Sequence, residues 1–250
     1  MKYRIFIAVI AAAITSACST GQSGAQGQQS EKVTLMQRHE DLIRLYHQQA
    51  DAPPMDQARV LNALAGTFND KFTEDAKDFV RERDVFRRKE RGDALFREYS
   101  EFAKKSSVSE VVAVITTVYI KPYDLEKKRF VVCVDSYSGD CWRYKSNGVK
   151  VSQGIYKLQV DIGEHGDYNF SPSDADARRI ESTMSRLSDR IVTAVVFART
   201  SGISPCIDSN TTCTVYAKPF RIELKEPANS KRNDWETNQY RYPTLFTLNI

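Results

Sequence analysis

Cysteines at positions 133, 141, 206 and 213 are the residues in this 250-residue chain whose type and spacing can do covalent chemistry. They fall into two local pairs, Cys133 with Cys141 in "CVDSYSGDC" and Cys206 with Cys213 in "CIDSNTTC". Structural zinc sites favour about two to four residues between paired cysteines. The inserts here hold seven and six, all turn-rich, so oxidation suits both pairs and metal suits neither. Of the connectivities open to four cysteines, the local one is expected, Cys133–Cys141 and Cys206–Cys213. Each bridge closes a short loop, which limits its stabilisation to about 2–3 kcal/mol.

A nucleophile needs a base within hydrogen-bond reach, and histidine is the usual one. The chain has three, His39, His47 and His165. His39 and His47 lie eight apart on a predicted helix with no H-E-x-x-H, which points to structural roles. "GEHGDY" places Glu164, His165 and Asp167 close together, the one weak candidate for a catalytic or ligand set. A polar turn after a strand has the same composition, and near-adjacent residues rarely converge on one metal. "DSYSGD" around Ser136 and Ser138 is neither G-x-S-x-G nor S-x-x-K and reads as a disulfide-bounded turn. No Gly-rich phosphate loop is present, and neither a cofactor nor a metal is expected.

The N-terminus carries an address. Lys2 and Arg4 precede an apolar run from Ile5 to Ile14, followed by Thr15, Ser16 and Ala17 and then a fifth cysteine, Cys18. A basic start, a short apolar core and a small-residue processing site make a secretory signal peptide. A membrane span needs about 20 apolar residues, and this run is too short. The stretch Ile14-Thr15-Ser16-Ala17-Cys18 resembles the lipobox of bacterial lipoprotein precursors. The resemblance covers the first 18 residues and departs at Thr15, where the class prefers Leu. It implies that residues 1–17 are removed and that the Cys18 thiol carries diacylglycerol. Ser19 also resembles the residue found after the cysteine in lipoproteins sorted to the outer membrane. The rival is ordinary cleavage after Ala25, which would release an unanchored, secreted protein. Residues 18–30 contain nothing more apolar than alanine after the cysteine, so they cannot fold and read as a tether. Its typical reach is about 20 Å. An oxidising periplasm is consistent with the paired cysteines.

The elements that must position these groups follow from periodicity. Residues 31–107 read as a helical region. Leu35, His39, Leu42, Ile43 and Tyr46 mark a first helix, ended by Ala52-Pro53-Pro54. Val60, Leu61, Leu64 and Phe68 mark a second, starting near Asp56. A third runs from Phe72 through Ala76, Phe79 and Phe86, with a break at Gly92-Asp93 before Leu95, Tyr99 and Phe102 resume the stripe. Residues 108–250 read as β-rich and packed with the helices as one body. "EVVAVITTVYI" and "RIVTAVVFAR" are apolar on both faces, as buried central strands are. "RFVVCVD" pairs with the first of these across residues 124–128, and Asn147-Gly148 signals a hairpin. Tyr156 to Ile162 and Phe220 to Lys225 alternate, with Pro219 calling for an edge or a bulge. One helix interrupts them, predicted to start with Ser171 as N-cap and to bury Ala177, Ile180, Met184 and Leu187. "RYPTLFTLNI" supplies a last strand. The expected class is α+β, an N-terminal helical portion followed by an antiparallel β-sheet with one packed helix.

Charge is mixed, 36 basic against 32 acidic residues, which argues against a dedicated nucleic-acid binder. The densest run, residues 81–98, interleaves acids with bases and reads as a solvated helix face; the alternative contacts are anionic lipid headgroups or a nucleic acid, and a tethered body would meet the former. Trp142 and Trp235 read as core or cross-strand partners rather than as a glycan or peptide groove. These features together predict a lipid-anchored periplasmic envelope protein of the outer membrane with a non-catalytic accessory or binding role. Its expected partners are the membrane, through acyl groups on Cys18, and another envelope protein or peptidoglycan, with no nucleic acid. The alternative is an envelope hydrolase acting on peptidoglycan or peptides near His165.

Overall fold

Alternating and β-branched runs build a single sheet, and short amphipathic segments build the helices around it. The computed structural model describes residues 32–36, 39–67, 71–134, 148–163, 166–206, 211–227 and 241–250. Its first elements are β1 (Thr34–Leu35), α1 (His39–His47), α2 (Gln57–Ala65), α3 (Thr73–Arg81) and α4 (Val85–Lys105). Strands β2 (Val111–Ile120), β3 (Phe130–Val134), β4 (Val149–Gln153), β5 (Tyr156–Val160) and β6 (Asp167–Phe170) follow. Helix α5 (Asp174–Met184), β7 (Ile191–Ser204), β8 (Cys213–Lys225) and β9 (Thr244–Asn249) complete the described residues. The class is mixed α+β, with five helices and a nine-stranded, mostly antiparallel sheet among those residues.

The sheet runs β4-β5-β8-β7-β2-β3-β6. β2 and β7, the two runs apolar on both faces, lie side by side near its middle, in antiparallel register from Val111↔Arg199 to Tyr119↔Ile191. Two pairings are parallel, β1 with β2 and β5 with β8, so the sheet is not wholly antiparallel. Pro219 sits where β8 changes partners. β5 pairs with its residues up to Ala217, and β9 pairs from Arg221 onward. A register shift against β7 falls at the same place, so the strand is central and the bulge absorbs the proline's missing N–H.

Several local expectations are corrected. Leu35 belongs to a short strand beside Ala113, not to the first helix. Asn147 lies outside the described residues, and β3 and β4 are not neighbours in the sheet. The tight hairpin here is β4–β5, turning at Gly154 and Ile155 between the paired Gln153 and Tyr156. Gly154 alone of these takes positive φ, 57°, which a side chain would resist. The cap of α5 is Ser173 rather than Ser171. Its hydroxyl accepts the Asp176 N–H at 3.2 Å and donates to the Asp176 carboxylate at 2.8 Å. Ala177, Ile180 and Met184 are buried as expected, and Leu187 packs half-buried beyond the helix.

The largest correction concerns the third helix. The break falls at residues 82–84, not at Gly92-Asp93. Asp84 stops the chain there by accepting the N–H groups of Phe86 and Arg87 at 2.9 and 3.1 Å, which makes it a strong N-cap. Phe86 is therefore 80% exposed instead of joining the buried stripe. α4 continues through Gly92 because glycine is what the packing requires. A Cβ there would lie 2.7 Å from the Phe79 ring of α3 and 2.7 Å from the Gln57 amide of α2. Overpacking of this kind costs about 1–3 kcal/mol, against about 1 gained from helix propensity. Gly92→Ala is therefore expected to lower stability by about 1 kcal/mol in urea unfolding, whereas an exposed glycine in a helix would respond with a gain.

Candidate functional site

The β2–β3 connection is a rigid turn. The Asp124 carboxylate accepts the N–H groups of Glu126 and Lys127 at 3.1 and 2.9 Å. The backbones of Asp124 and Arg129 close a bridge, and Lys128 takes a left-handed φ of 48°. The turn holds Leu125 out into solvent, 80% exposed. At its base the Tyr123 ring packs 4.9 Å from that of Phe130.

Helix α5 is fastened to this turn by a guanidinium fork. Arg190 donates to both carboxylate oxygens of Glu181, at 2.8 and 2.9 Å, and to the carbonyls of Ile120 and Lys121. Glu181 also accepts the Tyr123 N–H at 3.2 Å. The hydrogen bonds from Arg190 are the main reason the Glu181 carboxyl is held below the usual carboxylate range; partial burial opposes the shift. Arg190 itself sits at φ 55°, a backbone conformation that a non-glycine residue adopts at a cost.

Between turn and helix lies a groove of about 770 Å³. Pro122, Tyr123, Leu125 and Ala177 give it an apolar lining, and Ser182 and Ser185 offer hydroxyls along one side. Lys128 and Arg178 oppose Asp174 and Glu181 around it. Apolar concavities with a few convergent polar groups are the usual form of a binding site. This one can take an apolar side chain from an extended segment while both signs of charge orient its backbone.

The residues singled out by sequence lie elsewhere. Glu164 and His165 are outside the described residues, as are Cys18 and Cys141. Asp167 is an exposed residue at the start of β6, paired in register with Cys133, and it lines a shallower hollow with Asp161 and Lys218. Tyr168 beside it donates to the Ile162 carbonyl. Its phenol is pushed up to about 12, first by burial and then by Asp161 and Asp167. Cys206 and Cys213 are joined in a disulfide, as expected, and Cys133 is disulfide-bonded. Among the described residues no three His, Cys, Asp or Glu side chains converge as a metal site. No described helix is long and apolar enough to cross a membrane. His47 is fully engaged. A carbonyl can only accept, so its Nδ1–H donates to Pro53 at 3.3 Å and its Nε2 accepts the Tyr156 hydroxyl at 2.8 Å.

Sequence reasoning missed the groove because its parts are distant in the chain. Leu125 was the one available signal, a lone apolar residue inside the charged turn "DLEKK". Comparison with known proteins returned no matching family model, no curated relative and no matching solved structure.

Burial lowers the His47 pKa from its ordinary 6.5, the hydrogen bond to Pro53 opposing it weakly. Above the ordinary value the ring is neutral whether folded or unfolded, so it does not affect stability. Below it the unfolded chain gains a proton that the folded one resists, and stability falls with pH until the folded value is passed. The thermal midpoint should therefore drop between pH 7 and 5. His47→Gln should flatten that part of the curve, and an unchanged slope would remove His47 as its source.

Proposed function

We propose that this chain is a lipid-anchored cell-envelope protein with a non-catalytic binding role, exercised through the groove between α5 and the β2–β3 turn. Residues 1–17 act as the signal peptide, Cys18 carries the acyl groups, and residues 18–30 tether the body to the outer membrane on its periplasmic side. The signal-peptide pattern and the lipobox-like stretch before Cys18 support the anchor. The buried Cys206–Cys213 disulfide is consistent with an oxidising compartment. Helices α1–α4 act as one helical portion between β1 and the remaining strands, with α5 as the helix packed on the sheet.

The observation that carries the binding role is Leu125. An aliphatic side chain 80% exposed at the tip of a turn braced by Asp124 contributes nothing to the core, yet it forms one wall of an apolar groove. Apolar side chains lining a concavity beside a few polar groups are the usual form of a binding site. An apolar segment of another envelope protein fits this apolar lining better than the polar amino-sugar chains of peptidoglycan.

Two measurements test the reading. Radiolabelled palmitate should enter the wild-type protein and not Cys18→Ala, and label in neither would replace the anchored protein with a secreted one. A photo-crosslinker placed at Ser182 should capture an envelope protein in intact cells, and Leu125→Asp should reduce that capture at least fivefold. Capture unaffected by Leu125→Asp would place the binding surface elsewhere.

A further inference from the structure

The first two turns of α4 project from the body. Every residue from Val85 to Arg91 is exposed, and the first buried residue of the helix is Gly92. Val85 is 76% exposed and Phe86 80%, and Val80 at the end of α3 is 40% exposed. An aromatic ring left in water at the start of a helix is not what a solvated polar face requires.

The groups around this apolar tip are mainly cationic. Arg81, Arg83, Arg87, Arg88 and Lys89 flank it within nine positions of the sequence. Glu82 and Asp84 are the acids of the same stretch, and both are turned to the backbone. Glu82 accepts the Asp84 N–H at 3.1 Å, while Asp84 caps the helix. Asp93 is held by Lys89 and Gln57 at 2.8 and 3.2 Å. Arg91 lines a hollow with Asp75, Asp78 and Glu98. Glu90 is the remaining acid on the exposed turns, and Arg88 lies over the Phe79 ring at 5.4 Å. Residues 81–90 thus carry five basic side chains against three acidic ones, with Arg83, Arg87 and Arg88 within three positions of Val85 or Phe86.

We infer that this tip docks on an anionic bilayer surface, the aromatic and valine side chains entering the headgroup boundary while the arginines meet lipid phosphates. The combination is what interfacial segments use, a small apolar contact supplemented by basic residues. A protein partner is a poorer fit. Stable protein interfaces bury about 1,200–2,000 Å² in all, and these two side chains offer far less apolar surface. The inference rests on the anchored reading in one respect, that the tether keeps a membrane within reach and raises the tip's effective concentration there.

The test uses the full chain carrying Cys18→Ala, which cannot be acylated, so docking and anchoring fail separately. Vesicles of phosphatidylcholine alone are compared with vesicles containing three parts in ten phosphatidylglycerol, at low and high salt. Lys2, Arg4 and the N-terminal apolar run are the same in the parent and in every variant, so the excess assigned to the tip is the part that the variants lose. Each basic side chain near an anionic surface contributes about fivefold in binding. The anionic vesicles should therefore bind at least tenfold more protein, and most of that excess should be lost at 0.5 M salt, about where charges are screened within a few Å. Arg83→Gln/Arg87→Gln/Arg88→Gln should remove the excess, and Val85→Ser/Phe86→Ser should reduce it at least threefold. These residues are exposed, so the variants should keep the parent's circular dichroism. As a second readout, a tryptophan placed by Phe86→Trp should be quenched by brominated lipid beyond the parent's own signal. Equal binding to both vesicle types, retention by the variants, or no added quenching at position 86 would overturn the inference. Crosslinks from position 86 to protein rather than lipid would overturn it as well.

Discussion

Helix α1 has nine residues, too few to persist alone in water, so it exists only because the rest of the fold covers it. Leu42, Ile43, Leu45 and Tyr46 are all completely buried. Each such Leu or Ile contributes about 1.5–3 kcal/mol relative to exposure. Covering the helix so fully brings α2 and strands β4, β5 and β8 against it. The Tyr46 hydroxyl accepts the Cys206 N–H at 3.1 Å, and the Tyr46, His47 and Tyr156 rings stand edge to face within 5.6 Å of one another. Arg44 donates to the Ser106 carbonyl where α4 ends. The Gln48 amide bonds both the N–H and the C=O of Val108, standing in for a strand neighbour just ahead of β2. One short helix thus sets where α4 stops, where β2 begins and where the disulfide-closed approach to β8 lies.

The far side of the sheet has its own fastening, and it differs in kind. There the joint is a charged fork, Arg190 on Glu181, supplemented by two carbonyls. Planar bidentate pairing fixes orientation as well as distance. Glu181 is partly exposed, so solvent screens the pair, and its value lies more in geometry than in stability. That geometry is what a groove needs. The turn bearing Leu125 and the α5 face bearing Ala177 are held at a set separation whether or not anything lies between them. The α4 tip has the opposite character, with every residue from Val85 to Arg91 exposed and Arg88 and Arg91 reaching toward α3.

Much of the scaffold was legible from local pattern, and the misreadings have identifiable causes. β2 and β7 were recognised as central strands because burial on both faces leaves a continuous apolar run. The start of α2 near Asp56 was legible because a helix start is a local event within four residues, and the structure shows Asp56 capping it. The third helix was misread because Phe86 keeps the three- and four-residue spacing of Phe79, and periodicity cannot say where the covering partner ends. Gly92 was read as a breaker, although its lack of a side chain serves the approach of Phe79 and Gln57. Pro219 signalled a bulge correctly, but its strand is central, since β5 and β9 share β8 end to end.

What the sequence determined by itself was what depends on neighbours along the chain. This includes the central strands, the start of α2, the mixed α+β class and the local pairing of Cys206 with Cys213. Such features arise from backbone preference and side-chain period within a few residues, and these act before any distant contact forms. Tertiary structure alone decided the strand order, the two parallel pairings, the groove and the exposure of Phe86. Each depends on which surfaces remain after distant segments have covered the rest. Arg190 and Glu181 illustrate the division: as sequence they are two ordinary charges nine residues apart, and only the packing of α5 against the end of β2 turns them into a joint.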